Sequence, residues 1–300
     1  MDNATSIINW YPDLLLILLV DLILAIILLT AFRKLAGLVS NVSSTEELSG
    51  KDNFAFGLAF AGGVFALCII LTGVVSGDAG FTLLEEIVLV LSYGVLGIVL
   101  MMLSRKVLDN FSLPDINIHD QIMKGNLAAA IVDVGNLLAT AIIIRAVMVW
   151  IDDTDLFGLV SVVIGFVISQ LVLILVTQYR SKVYASRHSG ESLQAAFEAG
   201  NKALALRYCG HKIGAALAVT AASGFIPYNE ANLIQVCLVW GLISIVLTVA
   251  LSLIAIGARH IILAKINVVE EVDKQENIGI GFIEATIYIS IGLLLAALIA

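Results

Sequence analysis

Four asparagines, Asn53, Asn126, Asn201 and Asn277, recur at nearly equal intervals along the chain, and each opens a long apolar run. A long repeat constrains the fold before any single residue can be interpreted, because every copy must adopt the same supersecondary unit and bury its faces against its neighbours. The runs open as KDNFAFGLAFAGG, KGNLAAAIVDVGN, EAGNKALALRYCG and QENIGIGFIEATI. Each follows a first apolar run that ends in basic residues, so the unit is a helix, a loop and a second helix that starts near the Asn.

A bilayer-spanning helix needs about 20 mostly apolar residues. Eight stretches qualify, near 13–32, 54–76, 83–104, 126–149, 157–178, 202–226, 232–256 and 277–299. Only 13% of the chain is charged, against roughly 25% in soluble domains. The expectation is therefore an all-α polytopic membrane protein, with eight transmembrane helices arranged as four parallel two-helix repeats. No stretch between the runs is long enough for a separate soluble domain, and an enzyme is not expected.

The basic residues lie on one side. Arg33, Lys34 and Lys51 flank the first connection, Arg105, Lys106 and Lys124 the third, Arg180, Lys182, Arg187 and Lys202 the fifth, and Arg259, Lys265 and Lys274 the seventh. The even connections SGDAGF, WIDDTDLFG and IPYNEAN carry acids only. The positive-inside rule then places the odd connections in the cytoplasm and both termini outside. The first run lacks Lys or Arg before it and is followed by Arg33 and Lys34, the polarity of an anchor rather than of a secretory leader. Cys68, Cys209 and Cys237 fall inside spans and read as packing residues.

Small residues crowd the start of the second helices: Ala55, Ala128, Ala203 and Gly279 two positions after the Asn, then Gly62, Gly135 and Gly210 nine positions after it. Small residues let membrane helices approach closely, since association in lipid depends on packing and interhelical hydrogen bonds. The second helices are thus the expected inner set and the bulkier first helices the lipid-facing one. An even number of spans per unit gives all copies one orientation, which disfavours an inverted-repeat transporter. Two arrangements remain as expectations: two fused halves of four helices, residues 1–152 and 153–300 with two hairpins each, or a pseudo-fourfold arrangement of hairpins.

With these motifs, KGNLAAAIVDVG and EAGNKALALRYCG above all, the chain resembles the YjfL-type family of small bacterial inner-membrane proteins, domain of unknown function 350. That resemblance implies two fused family units covering essentially the whole chain, a cell inner-membrane location and no assigned activity. Copy four departs from the pattern with Thr286 where Gly is expected, and copy one with Asp52 before its Asn.

A helix turns about 100° per residue, so position seven after the Asn returns to its face about 10 Å deeper. That position holds Phe60, Asp133, Tyr208 and Glu284; position eleven of copy three holds Lys212, near Arg207 and His211. An ionisable group in hydrocarbon costs on the order of 3 kcal/mol and marks a candidate functional site. The expectation is that Asp133 and Glu284 face Lys212, Arg207 or His211 across the interior. Three readings stand: an ion pair that fixes which helix packs on which, a site that handles protons or ions, or snorkelling to the cytoplasmic boundary, above all for Arg207 and Lys202. Asp21, near mid-bilayer, calls for a hydrogen-bonding partner, for which Asn136 and Gln170 are candidates. Arg145 is expected to reach the acids Asp152 and Asp153, and Glu85 and Glu86 read as interfacial charges.

The four Asn residues are good helix N-caps. A ring of amides at the mouth of a bundle is the alternative. The chain has no phosphate-binding glycine loop, no HExxH, no GxSxG and no basic cluster of the kind that binds nucleic acid. No cofactor, metal or nucleic-acid partner is expected. The expected partners are the lipid bilayer, a second copy of the chain, and a cytoplasmic protein meeting the loops 34–52, 105–124, 180–200 and 259–276. Two functions follow: a channel or transporter for ions, protons or a small solute between the second helices, or a non-transporting scaffold or envelope stress-response partner.

Overall fold

The computed structural model describes residues 12–40, 42–76, 82–151 and 156–299. The acids-only connections at 77–81 and 152–155 and the N-terminal flank 1–11 lie outside them. The first helices are α1 (Pro12–Ser40), α3 (Leu83–Val107), α6 (Leu156–Arg187) and α9 (Leu233–Ile262). The second helices are α2 (Phe54–Val74), α5 (Leu127–Ile151), α8 (Lys202–Ala222) and α10 (Ile278–Ile299). Short helices α4 (Ile118–Met123) and α7 (Leu193–Glu198) precede α5 and α8, and wide π-type turns at Glu46–Gly50 and Glu270–Lys274 take their place before α2 and α10.

The helices lie in two rows. In the inner row α2 packs on α5, α5 on α8 and α8 on α10; in the second, α1 packs on α3, α3 on α6 and α6 on α9. The middle of the inner row is the most enclosed. In the most apolar stretch of α5, 72% of residues are buried, against 28% in α10 at the end of the row and 17% in α1. Leu15, Leu18, Leu22, Leu238, Leu242 and Leu253 stand exposed on α1 and α9, as residues facing lipid would.

Seven of the described helices are long and apolar enough to cross a membrane. The eighth sequence run, α8, has the length but not the hydropathy, because Lys202, Arg207, His211 and Lys212 interrupt it. It is nevertheless buried along most of its length by α5, α6, α9 and α10.

The glycines nine positions after each Asn set the spacing of the row. A Cβ on Gly62 would meet Val134 at 2.5 Å, one on Gly135 the Cys209 Cα at 2.8 Å, and one on Gly210 the Ala285 Cα at 2.3 Å. Each glycine thus lies under position eight of the next copy. Among the described residues no further copy packs beyond copy four, and its Thr286 is exposed. The departure from the motif has a packing cause: glycine is required only where another helix follows.

At the opposite end of α5, Trp150 stacks on Trp240 and donates to the Ile226 carbonyl at 2.7 Å. Arg145 donates to Thr72 at 3.0 Å; the acids expected to meet it, Asp152 and Asp153, lie outside the described residues.

Candidate functional site

The residue before each Asn adopts a left-handed backbone: Asp52 (φ 50°), Gly125 (φ 84°), Gly200 (φ 93°) and Glu276 (φ 53°). This ends the short helix before it, as a left-handed residue after a helix C-terminus does. The Asn then starts the long helix. Its side-chain Oδ1 accepts from the first turn: from Phe56 at 3.1 Å for Asn53, Ala128 at 2.9 Å for Asn126, Leu204 at 2.8 Å for Asn201 and Ile280 at 3.3 Å for Asn277.

The other end of the amide reaches the next copy. Asn53 Nδ2 donates to the carbonyls of Ile122 and Met123, Asn126 Nδ2 to those of Phe197 and Glu198, and Asn201 Nδ2 to those of Val272 and Asp273, all at 2.9–3.3 Å. Asn277, last in the row, donates to its own copy's Glu271 at 2.8 Å. The amides therefore link neighbours in an open row, and no ring of four forms. Cap and link together explain why Asn recurs: Asp, Ser or Thr would cap the helix, but ionised Asp has no donor and a hydroxyl has only one hydrogen to share among two carbonyls. In copy one, Lys51 at 2.6 Å and the Asn53 amide hold the Glu47 carboxyl below the usual range against its burial.

The intramembrane acids meet arginines of their own hairpins, not Lys212. Asp133, 2% exposed, accepts from Arg105 Nε at 3.0 Å and Nη2 at 2.6 Å, a two-pronged pair. Glu284, 1% exposed, accepts from Arg259 Nη1 at 2.9 Å and lies 3.6 Å from Arg207 Nη1. Arg207 also donates to Asp273, on the turn before copy four, and His188 Nε2 lies 3.4 Å from that carboxylate. Burial pushes the Asp273 carboxyl up, against the pull of Arg207 and His188. Lys212, also buried, makes no ion pair among the described residues, and its ammonium lies 6.0 Å from the Tyr208 ring centroid. A helix face fixes depth and direction but not the helix it confronts, and α8 turns Lys212 away from both acids.

Asn136 donates to the Ser104 carbonyl at 3.3 Å, and Gln170 faces Thr140. Neither meets Asp21, which lies against Glu86 of α3. Glu86 is buried rather than interfacial, whereas Glu85 closes a capping box with Thr82.

A repeating signal for the partners of the acids existed in the sequence. Arg33, Arg105, Arg180 and Arg259 lie at the ends of the four first helices, at a nearly constant offset before Phe60, Asp133, Tyr208 and Glu284 respectively. Copies two and four answer that arginine with an acid. Copies one and three answer with Phe60 and Tyr208, leaving Arg33 to Thr45 at 3.4 Å and Arg180 to the Tyr288 hydroxyl at 3.2 Å. Asp273 and His188, on connecting segments, had no such signal.

Around Arg180 the interior opens. A cavity of about 60 Å³ lies between α6, α7, α8, α9, α10 and the turn before α10, lined by Arg180, Arg187, Arg207 and Arg259 with Asp273 and Glu284. That is room for about four waters at roughly 15 Å³ each. Among the described residues no group of three His, Cys, Asp or Glu side chains could hold a metal ion.

A family model described as Domain of Unknown Function (DUF350) matches three overlapping stretches, residues 9–148, 82–222 and 154–299. Each match takes in two consecutive hairpins, and successive matches advance by one, so any adjacent pair of copies fits the same pattern. No curated protein and no solved structure matches the chain.

Proposed function

The chain belongs to the DUF350 family, and we propose that it is a multi-pass protein of the cell inner membrane that binds a small charged solute and carries it across. In this reading α8 is the eighth span, its polar residues shielded from lipid by its four neighbours. The basic ends of the first helices face the cytoplasm, with both termini outside, as the asymmetry of Lys and Arg favours.

The cavity lined by four arginines is the observation that carries the reading. Buried charge inside a membrane protein is expensive unless paired, and an excess of it around a space marks a solute or ion pathway. Beyond the cavity α8 is close-packed: Ala215, Ala216, Ala218, Val219 and Ala222 are at most 1% exposed. A carrier whose site opens on one side only fits this packing better than a standing channel.

The test is uptake into proteoliposomes of a panel of small inorganic and organic ions. Wild-type protein should move at least one of them, Ile256→Trp should stop it by filling the cavity, and Asp133→Asn should leave it, per folded molecule, unchanged. No uptake above protein-free vesicles for any member would sink the transport reading. It would favour a scaffold, which the closed Arg105–Asp133 pair and the asparagine links also suit.

A further inference from the structure

We propose that the cavity is a phosphate-group site: it takes a small phosphoryl oxyanion, with Arg180 as the cation that the fold leaves for it. This rests on the reading of the cavity as a ligand site and names the ligand's chemistry.

Four guanidinium groups face two carboxylates there, so positive charge is in excess. The two acids are already engaged. Asp273 holds Arg207, with His188 at 3.4 Å, and Glu284 holds Arg259 at 2.9 Å, with Arg207 at 3.6 Å. Arg180 and Arg187 make no ion pair among the described residues. Arg180 stands where Arg105 stands in copy two, but Tyr208 occupies the place that Asp133 holds there. The repeat thus supplies the cation and withholds its internal counter-ion.

Among the described residues, the buried atoms without hydrogen-bond partners on this cavity are Arg180 Nε, Arg207 Nη1 and His211 Nε2, which can serve phosphoryl oxygens, and Asp273 Oδ2 and Glu284 Oε2, which can accept from a phosphoryl O–H. Arg180 Nε and His211 Nε2 have no hydrogen-bond partner among the described residues, and His211 is only 6% exposed. Arg180 is held in place by stacking, its Cζ 5.2 Å from the Tyr288 ring centroid, and His211 packs edge-on against the same ring at 3.9 Å. A guanidinium fork and an imidazole N–H converging on one space suit the several acceptor oxygens of a phosphoryl group. Arginine matches that geometry better than lysine does. Either inorganic phosphate or the phosphate of an anionic lipid presents this chemistry, and the cavity lies beside the basic ends of the first helices, where headgroups would be within reach.

The experiment is calorimetric titration of delipidated full-length protein, in a neutral detergent, with inorganic phosphate against a chloride background. A second arm measures retention of phosphatidic acid by native mass spectrometry. Wild-type protein should bind one phosphate, or retain one phosphatidic acid that phosphate displaces; the first result assigns the source as free anion and the second as lipid. Arg180→Gln should weaken that binding at least about tenfold, and Arg180→Lys should recover part of it. Arg187→Gln, at an exposed position, should weaken it several-fold without disturbing the bundle, and so serves if Arg180→Gln fails to fold. No binding of either ligand to wild-type protein at about 10 mM phosphate, or equal binding by wild type and a folded variant, would overturn the proposal. Phosphate binding without uptake of any solute would sink the transport reading and leave the site standing. Uptake of another solute unaffected by phosphate and by Arg180→Gln would do the reverse.

Discussion

Copies two and four contain the same two groups, an arginine near the end of the first helix and a carboxylate at position seven after the Asn, and they bury them differently. Asp133 has Arg105 as its one arginine, with Asp109 near both, because the preceding copy offers Ala59 and Phe60 at positions six and seven and the turn before copy two offers Met123. Glu284 meets Arg259 and also Arg207, which occupies position six of copy three, while Asp273 stands where Met123 stands. A few substitutions within one frame turn a site with one arginine into a network of several beside a cavity. Repetition supplies a scaffold, and its local breakage supplies the site.

The two copies should diverge most at the spacing glycine. Gly135→Leu should destabilise the folded protein by about 3 kcal/mol, since even the first added carbon would strike the backbone of α8. Thr286→Leu, at the same position of copy four, should change stability by less than about 0.5 kcal/mol. Reversible unfolding in mixed micelles measures both, and equal losses would show that the row does not end at α10.

Next come the acids. Asp133→Asn should cost about 2 kcal/mol, below the full penalty for breaking a buried pair because the Arg105 side chain is 33% exposed and keeps some access to polar surroundings. Glu284→Gln should cost a similar amount, about 2 kcal/mol: Arg207 retains Asp273, but Arg259, whose side chain is 15% exposed, loses its acid. It should also strengthen phosphate binding by removing a competing carboxylate, whereas Asp133→Asn should not. The same unfolding and calorimetric measurements distinguish them.

The asparagine link should show a smaller asymmetry. Asn126→Asp keeps the cap but turns a carboxylate on the Phe197 and Glu198 carbonyls, for a loss of about 1–2 kcal/mol. Asn277→Asp reaches no following copy but loses its bond to Glu271 and sets a second carboxylate beside it, in solvent, and should cost less, about 0.5–1 kcal/mol. Smallest and opposite in sign, Glu276→Gly should stabilise by roughly 0.5 kcal/mol, the relief of a left-handed backbone that Gly125 adopts freely in copy two less the greater entropy glycine loses on folding. A lower midpoint for Glu276→Gly would mean that the Glu276 side chain has a role its exposure does not indicate.

Much of the fold was legible because it is local. Apolar run length sets the helices, the Asn interval sets the unit, and the small residues after each Asn mark the inner row. The candidate site was legible only in part. Position seven located Asp133 and Glu284 at matching depths, and Arg207 and His211 do line the cavity. Lys212 is not the partner of either acid, since a rise of about 1.5 Å per residue fixes depth while the facing helix depends on the order of the row. Asp273 and His188 were beyond reach because they come from connecting segments, where no periodicity constrains direction.

The sequence by itself determined an all-helical chain of long apolar helices, the start of the second helices at the Asn, and which helices pack closely. These follow from side-chain polarity and backbone geometry within each segment. Only the tertiary structure decided that the hairpins form an open row, that each amide reaches forward to the next turn, and that Arg180 is left facing a cavity without an acid. Those outcomes depend on groups far apart along the chain meeting at specific distances, such as Asn201 with Val272 at 3.2 Å, and packing between helices alone sets them.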